Sequence, residues 1–398
     1  MNKFLEEEYK LSRNPFPPAA SGSPGSETEV YIPIQWKKKI ENFFNTLKSG
    51  QGPKAFPIIG DYGSGKTYLL KGYLKNFFEE KNIKTFYFEN PGVKFYDLAN
   101  SLLRTLGRYE FSKALWELCK DYIHTTKATL FPMSFADMLS TLKTTSEREN
   151  KARELSFIIR DKLNLTNDEE IAYKLGLMIV ETSHKPYFSY RDFVASSKKS
   201  LVAEKEEAKY FKTIIKTIMA IYGTDGVAFL IDEFEEIAFP KRMTRKQTYD
   251  YLATLRSLID ISEEENLWIT IAMTPEAADE TEKMNPALWQ RFIHSGEKTI
   301  LKLGPLNLEE SINLLKWWLN KARDKKELRK WRDNIFPFPE TIVNILKRPE
   351  LRLPRALVKI GFLTLSEGEK QGVRAPIPEK FIEDIANKLY PPQNNMED

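Results

Sequence analysis

An α/β fold, with a parallel sheet and helices on both faces, is the architecture this sequence predicts, on three observations. Five short apolar runs alternate with amphipathic helical runs between residues 30 and 305. The first of these runs leads directly into a glycine-rich loop, and from Asn307 onward the apolar spacing is helical only. In order, a helix follows Pro33 and carries Ile40, Phe43, Phe44 and Leu47 on one face. Phe56-Pro57-Ile58-Ile59 is a strand that stops at Gly60. From Lys66 the residues Tyr68, Leu69, Leu70, Tyr73, Leu74, Phe77 and Phe78 repeat at helical spacing. A second strand is expected over 84–89, followed by a helix carrying Phe95, Leu98, Leu102 and Leu106. Gly226–Ile231 is the third strand and runs into Asp232-Glu233. A helix over about 247–261 leads to a fourth strand, Leu267–Met273, and a fifth fits 297–303. No internal repeat is visible.

The composition bounds the class of protein. Of 398 residues, 41% are hydrophobic and 29% charged, enough to bury a large core and unlike a disordered chain. Sixty Lys and Arg against 56 Asp and Glu give a net charge of +4, too slight to name a nucleic-acid partner, so any basic function is local. One cysteine, Cys119, excludes an internal disulfide and reads as a buried small hydrophobe. The scattered His124, His184 and His294 form no metal-ligand spacing. No run approaches the roughly 18 apolar residues of a membrane span, and the N-terminus carries acids where a signal peptide needs apolar residues. A soluble, cytoplasmic protein without membrane contact is expected. Residues 1–29 read as an extended segment, with the Pro-, Gly- and Ser-rich stretch 14–29 a mobile connector. The expected domains are a core over 30–107 and 211–305, a helical insertion over 108–210, and a helical tail over 306–398.

The chemistry begins at the end of the first strand. Gly60-Asp61-Tyr62-Gly63-Ser64-Gly65-Lys66-Thr67 fits G-x-x-x-x-G-K-[ST] in full, with Tyr68 next along the helix. Glycines let the backbone curl so that its N–H groups face phosphate oxygens, and a helix N-terminus adds its dipole. Lys66 is placed to reach the β- and γ-phosphates and Thr67 to offer its hydroxyl to Mg²⁺. A plain glycine-rich turn is the bland alternative; a strand before and an amphipathic helix after argue against it. At the end of the third strand, Asp232 is expected to hold Mg²⁺ and Glu233 to act as general base toward water. Glu235 and Glu236 read as solvated acids at a helix start.

The loop, the Phe229-Leu-Ile-Asp-Glu233 strand end, a polar residue closing the next strand and the helical tail together resemble the AAA+ ATPases. The resemblance spans about 30–107 and 211–390. It implies a P-loop NTPase fold with a helical lid, ATP and Mg²⁺ as ligands, ATP hydrolysis, and a homo-oligomer with sites at subunit interfaces. By position, Thr274 matches the polar residue that orients the attacking water. Arg291, in Pro286-Ala-Leu-Trp-Gln-Arg-Phe292, matches the finger that acts in a neighbouring subunit. Arg355, in Leu353-Pro-Arg-Ala-Leu357, matches the lid arginine that meets the γ-phosphate, with Arg352 as its substitute. The Leu353, Ala356, Leu357, Ile360 and Leu363 stripe leaves Arg355 on the opposite face. On its Asn14-Pro-Phe-Pro-Pro18 segment, its Leu230-Ile-Asp-Glu-Phe-Glu-Glu-Ile237 junction and its Leu353–Leu357 segment, the sequence is most similar within the AAA+ proteins to the origin-recognition/Cdc6-like group and the ATPases of BREX phage-defence and Tn7-like transposition systems. It departs from them in its long insertion.

Two basic runs are candidates for DNA. Lys241, Arg242, Arg245 and Lys246 follow the Asp-Glu strand. Residues 321–332 hold seven cations and two acids near Trp317, Trp318 and Trp331, which either stack bases or form tail core. The insertion, with 17 basic and 16 acidic residues, suits a docking platform for a protein partner better than a DNA-binding domain. Its Leu115, Trp116, Leu118, Phe131, Phe135, Met138, Leu139 and Leu142 suffice for a small bundle. The expectation is a DNA-linked ATPase; the alternative is a nucleotide switch that recruits a protein without touching DNA.

Overall fold

The computed structural model describes residues 3–19, 31–50, 52–89, 95–124, 133–183, 204–237, 244–293 and 299–392. Its centre is a five-stranded, all-parallel sheet of Ala55–Gly60 (β1), Ile83–Phe88 (β2), Gly226–Ile231 (β3), Leu267–Met273 (β4) and Leu301–Leu303 (β5). The order across the sheet is β2-β3-β4-β1-β5. β1, β3 and β4 are buried along their whole length, as expected of parallel strands covered on both faces. Alternate residues feed two cores. Val227, Phe229 and Ile231 point into one, Ala228 and Leu230 into the other. β5 is shorter than the expected 297–303, part of which lies outside the described residues.

The helices are Ile34–Ser49 (α1), Lys66–Glu79 with a π-helical stretch at Leu69–Leu74 (α2), Phe95–Leu106 (α3) and Arg108–His124 (α4). Next come Phe135–Thr141 (α5), Thr145–Phe157 (α6), Glu169–Val180 (α7), Glu204–Tyr222 (α8) and Arg245–Glu264 (α9). Pro275–Met284 (α10) and Pro286–Phe292 (α11) precede β5. The tail holds Leu308–Asn320 (α12), Lys325–Trp331 (α13), Ile342–Ile345 (α14), Pro354–Gln371 (α15) and Glu379–Leu389 (α16). Starts are chemically marked: Thr144, Thr244 and Asn307 each close a reciprocal capping box. No described helix is long and apolar enough to cross a membrane.

The insertion shares the sheet's core instead of forming a bundle of its own. One apolar cluster runs from Phe229 through Phe211 to Leu115, Trp116, Ile159 and Ile179. Buried Cys119 belongs to it, its thiol pKa pushed up to about 12 by burial. α6 and α7 touch backbone to side at Gly176, where a Cβ would lie 2.4 Å from the Ala152 carbonyl oxygen. α8 starts inside the expected insertion and ends in the core, so the boundary at 210 falls mid-helix. Phe131 lies outside the described residues.

The N-terminal segment, expected to be extended and partly mobile, is docked on the tail as far as residue 19. Leu5, Tyr9, Leu11 and Phe16 are buried there. Ser12 N–H donates to the Ala322 carbonyl at 2.8 Å, and the Tyr9 hydroxyl donates to the Val373 carbonyl at 2.8 Å. Phe16 lies against Gly361, where a Cβ would sit 2.8 Å from its ring. Four apolar anchors outweigh the flexible composition around them. The rest of the expected connector, 20–29, is outside the described residues.

The tail tryptophans are taken up by packing within the chain. Trp318 packs 6.1 Å from Phe16, Trp317 is 6.4 Å from Tyr31, and Trp331 stacks on Phe336 at 4.4 Å. Arg323, part of the second basic run, is buried, and its guanidinium donates to Asn320 Oδ1 and to the carbonyls of Trp331, Asn334 and Phe336. Burial pulls its pKa down to about 10. Replacing Arg323 with Ala orphans these acceptors and is expected to destabilise the protein by about 2–4 kcal/mol in urea unfolding.

Candidate functional site

Every strand of a parallel sheet ends on the same edge, so Gly60, which ends β1, shares one rim with Asp232 and Thr274, which follow β3 and β4. β4 lies between β1 and β3. Thr274 therefore sits between the glycine loop and the Asp-Glu pair.

The loop is shaped by its glycines. Gly63 and Gly65 adopt φ of +85° and +99°, a region that penalises a Cβ. Gly60 faces β5, where a Cβ would lie 2.8 Å from the Leu303 carbonyl oxygen and 2.5 Å from Ser64 Oγ. Ser64 is buried and its Oγ has no hydrogen-bond partner. Gly65 stands before the first turn of α2, and Leu69 N–H donates to its carbonyl at 2.9 Å. Asp61, Tyr62 and Thr67 are exposed, while Tyr68 is half-buried.

Lys66 is 7% exposed. Its Nζ donates to the Gly60 carbonyl at 2.7 Å, lies 3.4 Å from Glu235 Oε1, and stands 5.4 Å from the centre of the Tyr62 ring. Glu235 was expected to be solvated. It is 8% exposed, because the single 3₁₀ turn Phe234–Ile237 folds back over the loop with Phe234 buried against Tyr251. Its Oε2 has no hydrogen-bond partner. The side chain of Glu236 lies outside the described residues.

Asp232 is buried and held from two sides. Its Oδ2 accepts from the Tyr87 hydroxyl at 2.9 Å and its Oδ1 from Glu233 N–H at 3.0 Å. Burial first, and then the Asp232 charge, drive the Tyr87 pKa far up, so its proton stays in that bond. Lys71, one turn along α2, sits 4.3 Å over the Tyr87 ring. Glu233 is exposed and has φ of +52°, a strained conformation for a residue with a side chain. Thr274 is buried, and its Oγ1 caps α10 by accepting from Ala277 N–H at 3.2 Å.

Two arginines differ in how they meet this rim. Arg355 opens α15, and its backbone N–H donates to the Gly63 carbonyl at 3.1 Å. A Cβ on Gly63 would lie 2.8 Å from Arg355 Cβ, so the tail rests on the loop through this residue, whose side chain is exposed. The buried face of α15 is rotated from the expected stripe: Gly361, Thr364 and Leu365 join Ala356, Leu357 and Ile360, while Leu353 and Leu363 are half-buried. Arg352 is half-buried, with its Nε unpartnered. Arg291 instead makes a forked pair within its own chain, Nε and Nη2 to the two oxygens of Asp260, and its Nη1 donates to the Ala287 carbonyl at 3.0 Å.

Of the first basic run, Arg245 and Lys246 are exposed in the first turn of α9, with Arg245 5.9 Å from the Tyr249 ring centre. Lys241 and Arg242 lie outside the described residues. Sequence reasoning missed Tyr87 and Glu235. Nothing in the local pattern of β2 marks the Tyr87 contact with Asp232, and nothing around Asp232-Glu233 marks the burial of Glu235.

A phosphate chain fits what is present: a left-handed glycine cradle, a buried lysine, and the orphaned Ser64 hydroxyl. The Thr67 hydroxyl and the Asp232 carboxylate are oxygen donors of the kind Mg²⁺ takes. No family model matches the chain, and no curated protein matches it in sequence.

Proposed function

We propose that this chain is an ATPase of the AAA+ type, with a P-loop NTPase core built on the five-stranded sheet and the helical tail as its lid. The observation that supports the reading best is the convergence of Lys66, Asp232, Glu233 and Thr274 on one sheet edge, with Arg355 resting on the loop. In this reading Gly60 to Tyr68 hold the nucleotide, and Lys66 neutralises the β- and γ-phosphates. Thr67 and Asp232 hold Mg²⁺, which when bound screens the phosphate oxygens. Tyr87 keeps Asp232 turned toward the rim. Glu233 takes the proton of the attacking water as the bond from the γ-phosphorus to its bridging oxygen breaks, and Thr274 orients that water. Arg355 meets the γ-phosphate from the lid.

The chain is proposed to assemble with copies of itself, Arg291 leaving Asp260 to complete a neighbour's site. Replacing Arg291 with Ala is then expected to lower turnover by about 10³-fold. Mixing with Lys66→Ala subunits, whose own site is dead but whose finger is intact, restores part of it. Loss that mixing leaves unchanged would make Arg291 a helix-end staple only.

Hydrolysis is proposed to switch or drive an assembly on DNA, in a setting such as phage defence or transposition. The DNA contact rests on Lys241, Arg242, Arg245 and Lys246, since Arg323 and the tail tryptophans are occupied internally. That occupancy favours, as a second reading, a nucleotide switch that recruits a protein through 108–210. The test is ATPase rate with and without double-stranded DNA, over a range of protein concentrations and at two salt levels. A rate that rises with concentration and DNA and collapses in salt supports the DNA-assembled oligomer. A rate indifferent to DNA, with Arg245→Glu and Lys246→Glu without effect, supports the protein switch, and no hydrolysis under any condition overturns both.

A further inference from the structure

The pairing of Lys66 with Glu235 has no place in the scheme above. Both side chains are about nine-tenths or more buried, at 7% and 10% exposure, and their charged atoms are 3.4 Å apart. Besides the Tyr62 ring, Lys66 meets two main-chain carbonyls, Gly60 at 2.7 Å and Asp61 at 3.5 Å. Glu235 is the carboxylate paired with it, and it is only half satisfied, because its buried Oε2 has no hydrogen-bond partner. A charge buried in this state is costly and depends on its counter-ion.

We propose that Glu235 is a displaceable counter-ion of Lys66, standing where phosphate oxygens would otherwise draw the ammonium, and that it sets nucleotide affinity and release. The inference rests on the reading of the glycine loop as a nucleotide site. A phosphate chain in the cradle competes with Glu235 for one ammonium. Once Lys66 turns to the phosphates, the buried carboxylate loses its counter-ion and faces added negative charge. Binding is therefore weaker, and release faster, than the loop alone would give. The position of Glu235 is fixed by Phe234, buried in the same turn against Tyr251 at 5.4 Å, so the carboxylate cannot swing out to water cheaply. Glu235 touches no reacting atom in this scheme; it is a positioning residue for Lys66 and distinct from the general base Glu233.

The test is nucleotide binding by the full chain, using Mg-ADP and a non-hydrolysable Mg-ATP analogue in calorimetry, with stopped-flow release of a fluorescent analogue. Glu235→Gln keeps shape and hydrogen-bonding capacity and removes the charge. It is expected to lower Kd about tenfold, chiefly through slower release. A residue with a merely structural role gives a loss, so tightening is the discriminating result. An unchanged or raised Kd in the Gln variant, with the wild type binding normally, overturns the counter-ion role and leaves the nucleotide site standing. Absence of nucleotide binding in the wild type overturns the site reading, and this inference with it. If the Gln variant does not fold, Glu235→Asp carries the test: it retains charge but withdraws it by one methylene. A smaller drop in Kd upholds the proposal, and an equal or higher Kd overturns it.

Discussion

Replacing Glu233 with Gln is expected to leave Mg-ATP binding intact and to lower the rate of hydrolysis by about 10²–10⁴-fold, the usual contribution of a positioned general base. The amide keeps the size and reach of the side chain, so the backbone at φ of +52° and the hydrogen bond from Glu233 N–H to Asp232 remain. Only the capacity to accept a proton is lost. Equilibrium binding and single-turnover hydrolysis separate the two effects, and a variant with full activity would remove Glu233 from the mechanism. The strain adds a second readout. Glu233→Gly relieves a left-handed conformation costing about 1–2 kcal/mol, offset by about 0.5–1 kcal/mol of unfolded-chain entropy. The glycine variant is therefore expected to be inactive yet at least as stable as the wild type in denaturant unfolding, the pattern of a residue kept for chemistry and not for the fold.

Removing Lys66 is expected to do more than abolish nucleotide binding. In Lys66→Ala, Glu235 stays in a turn anchored by Phe234, with neither oxygen paired to a cation. Loss of one partner from a buried ion pair destabilises by about 3–5 kcal/mol, whereas joint neutralisation of both partners is far milder. Lys66→Ala is accordingly expected to lose about 3 kcal/mol in urea unfolding without nucleotide. Lys66→Met combined with Glu235→Gln is expected to recover most of it. Equal stability of the Lys66→Ala protein and the wild type would show that the pair is already open in solution. This loss would also affect the mixing experiment with Arg291→Ala subunits, so the Lys66→Ala partner has to be used well below its melting temperature.

How far the sequence discloses the molecule follows from which interactions are local. β3 and β4 are legible to the residue because each is an apolar run, broken only by Thr270, that a polar residue closes. The glycine loop is legible because its φ values near +90° admit few residues other than glycine. Glu235 is hidden: the four acids of Asp232 to Glu236 look alike on paper, and a 3₁₀ turn takes Glu235 out of water. Arg323 is hidden in the same way, since a run of seven cations in twelve residues gives no sign that one is enclosed by carbonyls. The docked N-terminal segment escapes notice because its partners, Ala322, Phe362 and Val373, are more than three hundred positions away along the chain, as in the 364-residue span from Tyr9 to Val373.

That span has a mechanical meaning. Residues 5–16 are tied to the tail, and the tail touches the glycine loop where Arg355 meets Gly63. In the proposed ATPase, a ligand that parts Gly63 from Arg355 is expected to shift the tail and residues 5–16 together. In that case residues 5–16 would be a pointer fixed to a lever whose fulcrum is the glycine loop. A dye on Lys3, read against one on the outer face of α1, would follow that lever in real time without any label near the chemistry.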